Sequence, residues 1–221
     1  MAASHDSRSF FLEGPAGRLE AILWKPAAPG RHLAPLAAVV CHPHPLFGGT
    51  MHNKVVYQAA KALDALGLPV LRFNFRGVGL SAGEHDRGHG EMDDARTAVE
   101  FLQQEFPHVP ILLAGFSFGA WVGLRVGCEE PRVRYLVGMG IPVNNTDFSF
   151  LQRCEKPKLF LHGSNDQFGD IHKVQSVVGP LPGENRLVIV EDVDHFFFGK
   201  LDEVSGAIQT WLTEQIPRLL Q

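Results

Sequence analysis

The chain has 221 residues, 45% of them hydrophobic and 20% charged, with a formal net charge of −4. That is enough apolar content to bury one substantial core, so a single domain over 1–221 is expected, with residues 1–9 as a flexible N-terminus. No basic stripe argues for nucleic acid, and no apolar stretch approaches the ~18 residues that suggest a membrane span. The first residues, Met1 to Asp6, lack the charged start and long apolar stretch of a signal peptide. Cys41, Cys128 and Cys154 show no metal or redox spacing and read as reduced thiols of a cytoplasmic protein.

Phe10 to Lys25, broken by Gly14-Pro15-Ala16-Gly17, reads as an antiparallel hairpin at a sheet edge. Pro26 to Pro35 reads as a loop. Short apolar runs then predict strands over 36–40, 70–75, 111–114, 135–140, 158–162 and 186–190. Helical patterns fall over 54–66, 92–106, 118–129, 171–178 and 206–220, the last with Ile208, Trp211 and Leu212 on one face. This alternation specifies an α/β fold, a mostly parallel sheet of about eight strands covered on both faces. The segment 141–157, with Pro142, Asn144 and Asn145, has room for one short helix and not for a cap domain.

Four loops between these elements carry chemistry. The run Gly115-Phe116-Ser117-Phe118-Gly119 lies between a predicted strand and a predicted helix. Gly-x-Ser-x-Gly in that setting is a nucleophile elbow, with the serine held in a strained turn above the sheet. A serine hydroxyl needs a base, and the base needs an orienting carboxylate. Downstream, Asp166 and His195 each follow the C-terminal end of a predicted strand, where open α/β sheets place their sites. Asp166 is assigned as the acid and His195 as the base. Asp170 is the alternative acid, or else the cap of the following helix.

The fourth loop is Cys41-His42-Pro43-His44-Pro45-Leu46-Phe47-Gly48-Gly49-Thr50. A loop at this place supplies one oxyanion-hole N–H, and the residue after the serine, Phe118, supplies the other. Pro43 and Pro45 have no N–H, so Leu46 is expected to donate, with Phe47 as the alternative. Phe47 and His44 are expected to line the substrate pocket, and one or two of Phe196–Phe198 to fill the core. His42-x-His44 lacks a third ligand at metal spacing and reads as a structural brace, so no metal is expected. Gly77-Val78-Gly79-Leu80-Ser81-Ala82 matches a dinucleotide fingerprint but is followed by a polar glycine-rich stretch where that motif needs a helix. No cofactor is expected.

His42 to Met51, Leu71-Arg72-Phe73-Asn74-Phe75-Arg76-Gly77-Val78-Gly79, the Gly-Phe-Ser-Phe-Gly elbow and the late Asp166 and His195 together resemble a family of small, lidless bacterial α/β hydrolases. These are similar in fold to dienelactone hydrolases and small carboxylesterases. The resemblance spans the chain from about Phe10 to the end. It implies a Ser-Asp-His triad and hydrolysis of a small-molecule ester. Dienelactone hydrolases proper use a cysteine nucleophile, so serine at 117 speaks against dienelactone as substrate. A thioesterase or peptidase with the same triad, or a ligand-binding protein on the same fold, are the alternatives.

Overall fold

The computed structural model describes residues 5–26 and 36–215. The hairpin consists of β1 (His5–Gly14) and β2 (Gly17–Pro26). Its register runs from His5 opposite Pro26 to Gly14 opposite Gly17. Residues 5–9 are therefore paired strand and not part of a flexible terminus. Arg8 helps to hold them, with its guanidinium 4.6 Å from the Phe10 ring and 3.8 Å from the Glu105 carboxylate. Residues 1–4, 27–35 and 216–221 lie outside the described residues, and with them most of the expected loop 26–35 and the end of the helix expected over 206–220.

The remaining strands are β3 (Ala37–Cys41), β4 (Val70–Phe73), β5 (Ile111–Phe116), β6 (Val133–Met139), β7 (Lys158–Gly163) and β8 (Asn185–Val190). The eight-stranded sheet has the order β1-β2-β4-β3-β5-β6-β7-β8. Pairing is antiparallel from β1 to β4 through β2 and parallel from β4 onward. Every residue of β3, β5 and β7 is buried. Such strands, covered on both faces, need continuous apolar runs and not alternation.

Helices α2 (His89–Glu105), α3 (Phe118–Glu129) and α4 (Ile171–Val178) pack with one face of the sheet. Helices α1 (Lys54–Ala65) and α5 (Leu201–Gln215) pack on the other. Ile208, Trp211 and Leu212 of α5 are fully buried there, as their spacing predicts. Two helices begin earlier than their apolar pattern. α2 starts at His89 because the buried Glu91 carboxylate accepts the N–H groups of Gly88 (2.7 Å) and Asp86 (2.9 Å). α5 starts at Leu201, with Asp202 and Glu203 in its first turn, where acidic groups are favoured by the helix dipole. Between β6 and β7 there is one 3-10 turn, Ser149–Arg153, and no cap domain. Among the described residues no helix is long and apolar enough to cross a membrane.

Candidate active site

Ser117 sits at the turn from β5 into α3 with φ 56° and ψ −119°. Positive φ is uncommon for a residue with a side chain and marks stored strain. The turn is held by Ser117 N–H donating to the Met139 carbonyl at 2.9 Å. The two flanking glycines are required by close approach. A Cβ on Gly115 would lie 2.1 Å from the Gly119 carbonyl oxygen, and one on Gly119 would lie 2.3 Å from that of His42. The elbow is thus in backbone contact with the end of β3.

Asp166 follows β7 and is 6% exposed; His195 follows β8 and is 2% exposed. His195 Nδ1 donates to Asp166 Oδ2 at 2.7 Å. Asp166 Oδ1 accepts the N–H groups of Phe168 (2.8 Å) and Gly169 (3.2 Å), which fixes the carboxylate plane. Asp170 does the other job considered for it. Its Oδ1 accepts the N–H groups of His172 (3.1 Å) and Lys173 (3.2 Å) and caps α4. The His195 ring packs against Phe116 (4.9 Å between centroids), the residue before Ser117, and against Phe168 (4.7 Å). Gly140 backs it, since a Cβ there would stand 3.1 Å from His195 Cε1. These contacts bring the Asp–His pair against Phe116, the neighbour of Ser117 in the chain. The Ser117 hydroxyl itself makes no hydrogen bond to His195, a link that is often long without substrate.

Two further buried histidines support the loops on either side. His42 is fully buried. Its Nε2 accepts the Phe75 N–H at 2.9 Å, so the proton sits on Nδ1, which donates to the Pro43 carbonyl at 2.6 Å. Burial lowers its pKa to about 4, which keeps it neutral. Both ring nitrogens are thereby spent on the backbone, the bracing role expected of it. His162, also fully buried, donates from Nε2 to the Gly169 carbonyl at 2.6 Å, and Nε2 lies 3.6 Å from Asp166 Oδ2. Its pKa is lowered, chiefly by burial. Among the described residues no group of three or more His, Cys, Asp or Glu could hold a metal ion.

The loop after β3 corrects one expectation. Leu46 N–H donates to His44 Nδ1 at 3.2 Å, and Phe47 N–H to the His44 carbonyl at 3.1 Å. Pro45 starts a 3-10 turn, Pro45–Phe47, and His44 caps it with its own ring. Neither N–H on which the oxyanion assignment rested is therefore directed at a reacting oxygen. The side chains expected as pocket are instead a rim. The His44 ring stacks near Phe47 (4.7 Å) and Phe118 (4.9 Å), while Phe47 is 85% exposed. Of the run 196–198, Phe197 is core, whereas Phe196 and Phe198 are exposed. His85, 41 positions from His44 and set in a polar loop, gave no sign of a place here. Its ring lies 4.8 Å from that of His44, and its Nδ1 is 2.7 Å from the buried Glu91 carboxylate.

Comparison with known proteins places this geometry in a wider set. Residues 39–216 match a family model described as an alpha/beta hydrolase domain. The uncharacterized protein RP471 of Rickettsia prowazekii is 41% identical over 91% of this chain and 87% of its own length. Among solved structures, XC6422 from Xanthomonas campestris, described as an a/b serine hydrolase without lid, superposes with a TM-score of 0.88. It is 39% identical, with 96% of each chain covered. An alpha-beta serine hydrolase homologue from Coxiella burnetii gives a TM-score of 0.86 at 36% identity, covering 93% of this chain and 97% of its own.

Proposed function

The chain belongs to the α/β hydrolase family, and from that premise we propose that it is a carboxylesterase-type serine hydrolase acting on small esters through an acyl-enzyme. The observation that carries this reading is the 2.7 Å bond from His195 Nδ1 to Asp166 Oδ2, in a pair packed against the chain neighbour of a serine strained to φ 56°. With Nδ1 committed to Asp166, His195 Nε2 is the nitrogen left to act as base. Ser117 Oγ attacks the acyl carbon as His195 takes its proton. The imidazolium, held by Asp166, then protonates the departing alcohol. Water repeats the attack on the acyl-enzyme and restores the serine.

The tetrahedral oxyanion is stabilised by the N–H of Phe118 at the start of α3. The second donor is the N–H of His44, just past β3, since the neighbouring prolines have none and Leu46 and Phe47 are engaged. Each such donor contributes on the order of 3 kcal/mol to the transition state. The aromatic rim of Phe47, Phe118, Phe168 and Phe196 supports a small apolar acyl or alcohol group as the recognised part. Three free thiols are in keeping with a cytoplasmic setting.

The test is covalent labelling with a fluorophosphonate, followed by a panel of esters, thioesters and aminoacyl amides. Label on the peptide that carries Ser117, with turnover highest on esters, is the expected result. A folded protein that takes no label refutes the hydrolase reading; faster turnover of thioesters or amides refutes the carboxylesterase one.

A further inference from the structure

At the end of α3 remote from Ser117, the last helical turn meets the residues that lead from the 3-10 turn Ser149–Arg153 into β7. Cys128 on α3 and Cys154 at the end of that turn lie close enough for each thiol to shift the ionisation of the other. Both belong to the same apolar cluster, Cys154 buried and Cys128 partly so.

Two lysines enclose the pair. Lys156 Nζ donates to the carbonyls of Gly127 and Glu130, both at 2.6 Å, and so straddles Cys128. Lys158 is fully buried at the first position of β7. Its Nζ donates to the carbonyls of Cys154, Lys156 (2.7 Å) and Pro182 (3.2 Å). Among the described residues no carboxylate lies within ion-pair distance of that ammonium. A buried cation without an anion is costly. Burial lowers the pKa of Lys158, and the negative charges that oppose this are, in order, those of the Cys154 and Cys128 thiolates and the Glu155 carboxylate. Cys128, though not the buried Cys154, lines a cavity of about 550 Å³ together with Arg125, Glu129, Asp147, Phe150 and Arg153, large enough to admit a small oxidant.

We propose that Cys128 and Cys154 form a reversible redox modification site, oxidised by a hydroperoxide to an intramolecular disulfide. The Cys154 thiolate attacks the distal oxygen of the hydroperoxide. An S–O bond forms and the O–O bond breaks, leaving a sulfenic acid and an alkoxide or hydroxide that takes up the proton Cys154 had released. Sulfur loses two electrons and the peroxide gains them. The Cys128 sulfur then attacks the Cys154 sulfur. The S–S bond forms, the S–O bond breaks, and the hydroxyl departs as water with the Cys128 proton. Two thiols and one hydroperoxide thus give one disulfide, one water and one alcohol or second water.

The electrostatics accord with this division of roles. Cys154 is held below the usual thiol range, first by the Cys128 thiol and then by Lys158 and Lys156. The Cys128 thiol is raised by Cys154 and by burial, so it keeps its proton until the second step. Cys41, fully buried with its thiol pushed up by desolvation, is the inert control.

The purified full-length chain should be exposed to hydrogen peroxide, its thiols alkylated after denaturation, and the peptides mapped by mass spectrometry with and without dithiothreitol. The expected product is a Cys128–Cys154 bridge, lighter by two hydrogens, reversed by dithiothreitol, with Cys41 still free. In Cys128→Ser the bridge cannot close, and dimedone should capture a sulfenic acid on Cys154. Free thiols at both positions, an intermolecular bridge, or a sulfinic acid in place of the disulfide would overturn the proposal. So would a Cys128→Ser protein whose Cys154 takes no dimedone.

Discussion

Acid should weaken this fold through His42, and the size of the effect follows from its surroundings. The ring is buried, and burial lowers its pKa from 6.5 to about 4, partly opposed by the bond to the Pro43 carbonyl. In the unfolded chain it binds a proton near its ordinary value of about 6.5. Between those two values the unfolded state holds more protons than the folded one, so stability rises with pH. The contribution is complete above the unfolded value and is lost as the pH falls toward about 4. The gap corresponds to about 3 kcal/mol, of which about 2.5 kcal/mol is gone by pH 4.5. Protonation also removes the lone pair that receives the Phe75 N–H, so the loop after β3 loses its tie to the segment just past β4. Urea unfolding of wild type and His42→Gln, each at pH 7 and pH 4.5, isolates the effect. The glutamine variant starts less stable but lacks the titrating ring. Wild type should lose about 2.5 kcal/mol more than the variant between the two pH values. Equal losses in both proteins would refute the linkage.

Other substitutions separate catalytic groups from structural ones. Asp166→Asn should lower kcat by on the order of 10⁴ because the amide cannot stabilise imidazolium. Asp170→Asn should leave turnover near wild type and shift only thermal stability, by well under 1 kcal/mol, since asparagine also caps; steady-state kinetics and melting curves of both variants check this. Gly140→Ala combines a φ of 54° with a methyl 3.1 Å from His195 Cε1. It should reduce kcat/KM at least tenfold while the folded spectrum persists; unchanged kinetics would show that the base does not rest where Gly140 backs it. Across p-nitrophenyl esters of rising length, kcat/KM should peak at short acyl chains of about two to six carbons. A roofless site leaves each further CH₂ without its burial of about 0.8 kcal/mol. A maximum at long chains would sink that expectation.

The strands and the order Ser117, Asp166, His195 were legible because each depends on local pattern: an apolar run, then a polar residue at its end. Helix starts were less so. Glu91 opens α2 by reaching back to Gly88 and Asp86, and a polar stretch of His and Gly hides that reach. The hydrogen-bond economy of the loop after β3 was illegible for a different reason. Whether Leu46 N–H faces a substrate or the His44 ring depends on one imidazole rotamer, which no spacing encodes. The place of Phe197 in the core and of Phe196 and Phe198 outside it depends on φ of 53° at Phe197, a backbone turn that three identical residues cannot announce.

Gly119 lies so close to the carbonyls of Cys41 and His42 that no side chain fits between them. Ser117, Phe118 and the β3 loop therefore form one inelastic block, backbone against backbone. Asp166 and His195 are carried by the loops after β7 and β8, which are tied to each other where Gly163 lies against the Val193 and Asp194 carbonyls, and whose aromatic residues Phe168, Phe196 and Phe198 face outward. Selection acting on what the enzyme accepts has its latitude on that second side. There an outward ring can be exchanged without disturbing the attacking oxygen. New specificities in chains of this architecture should accordingly be sought by diversifying the outward positions 168, 196 and 198, while Gly169, the core residue Phe197 and the stretch from 115 to 119 are left untouched.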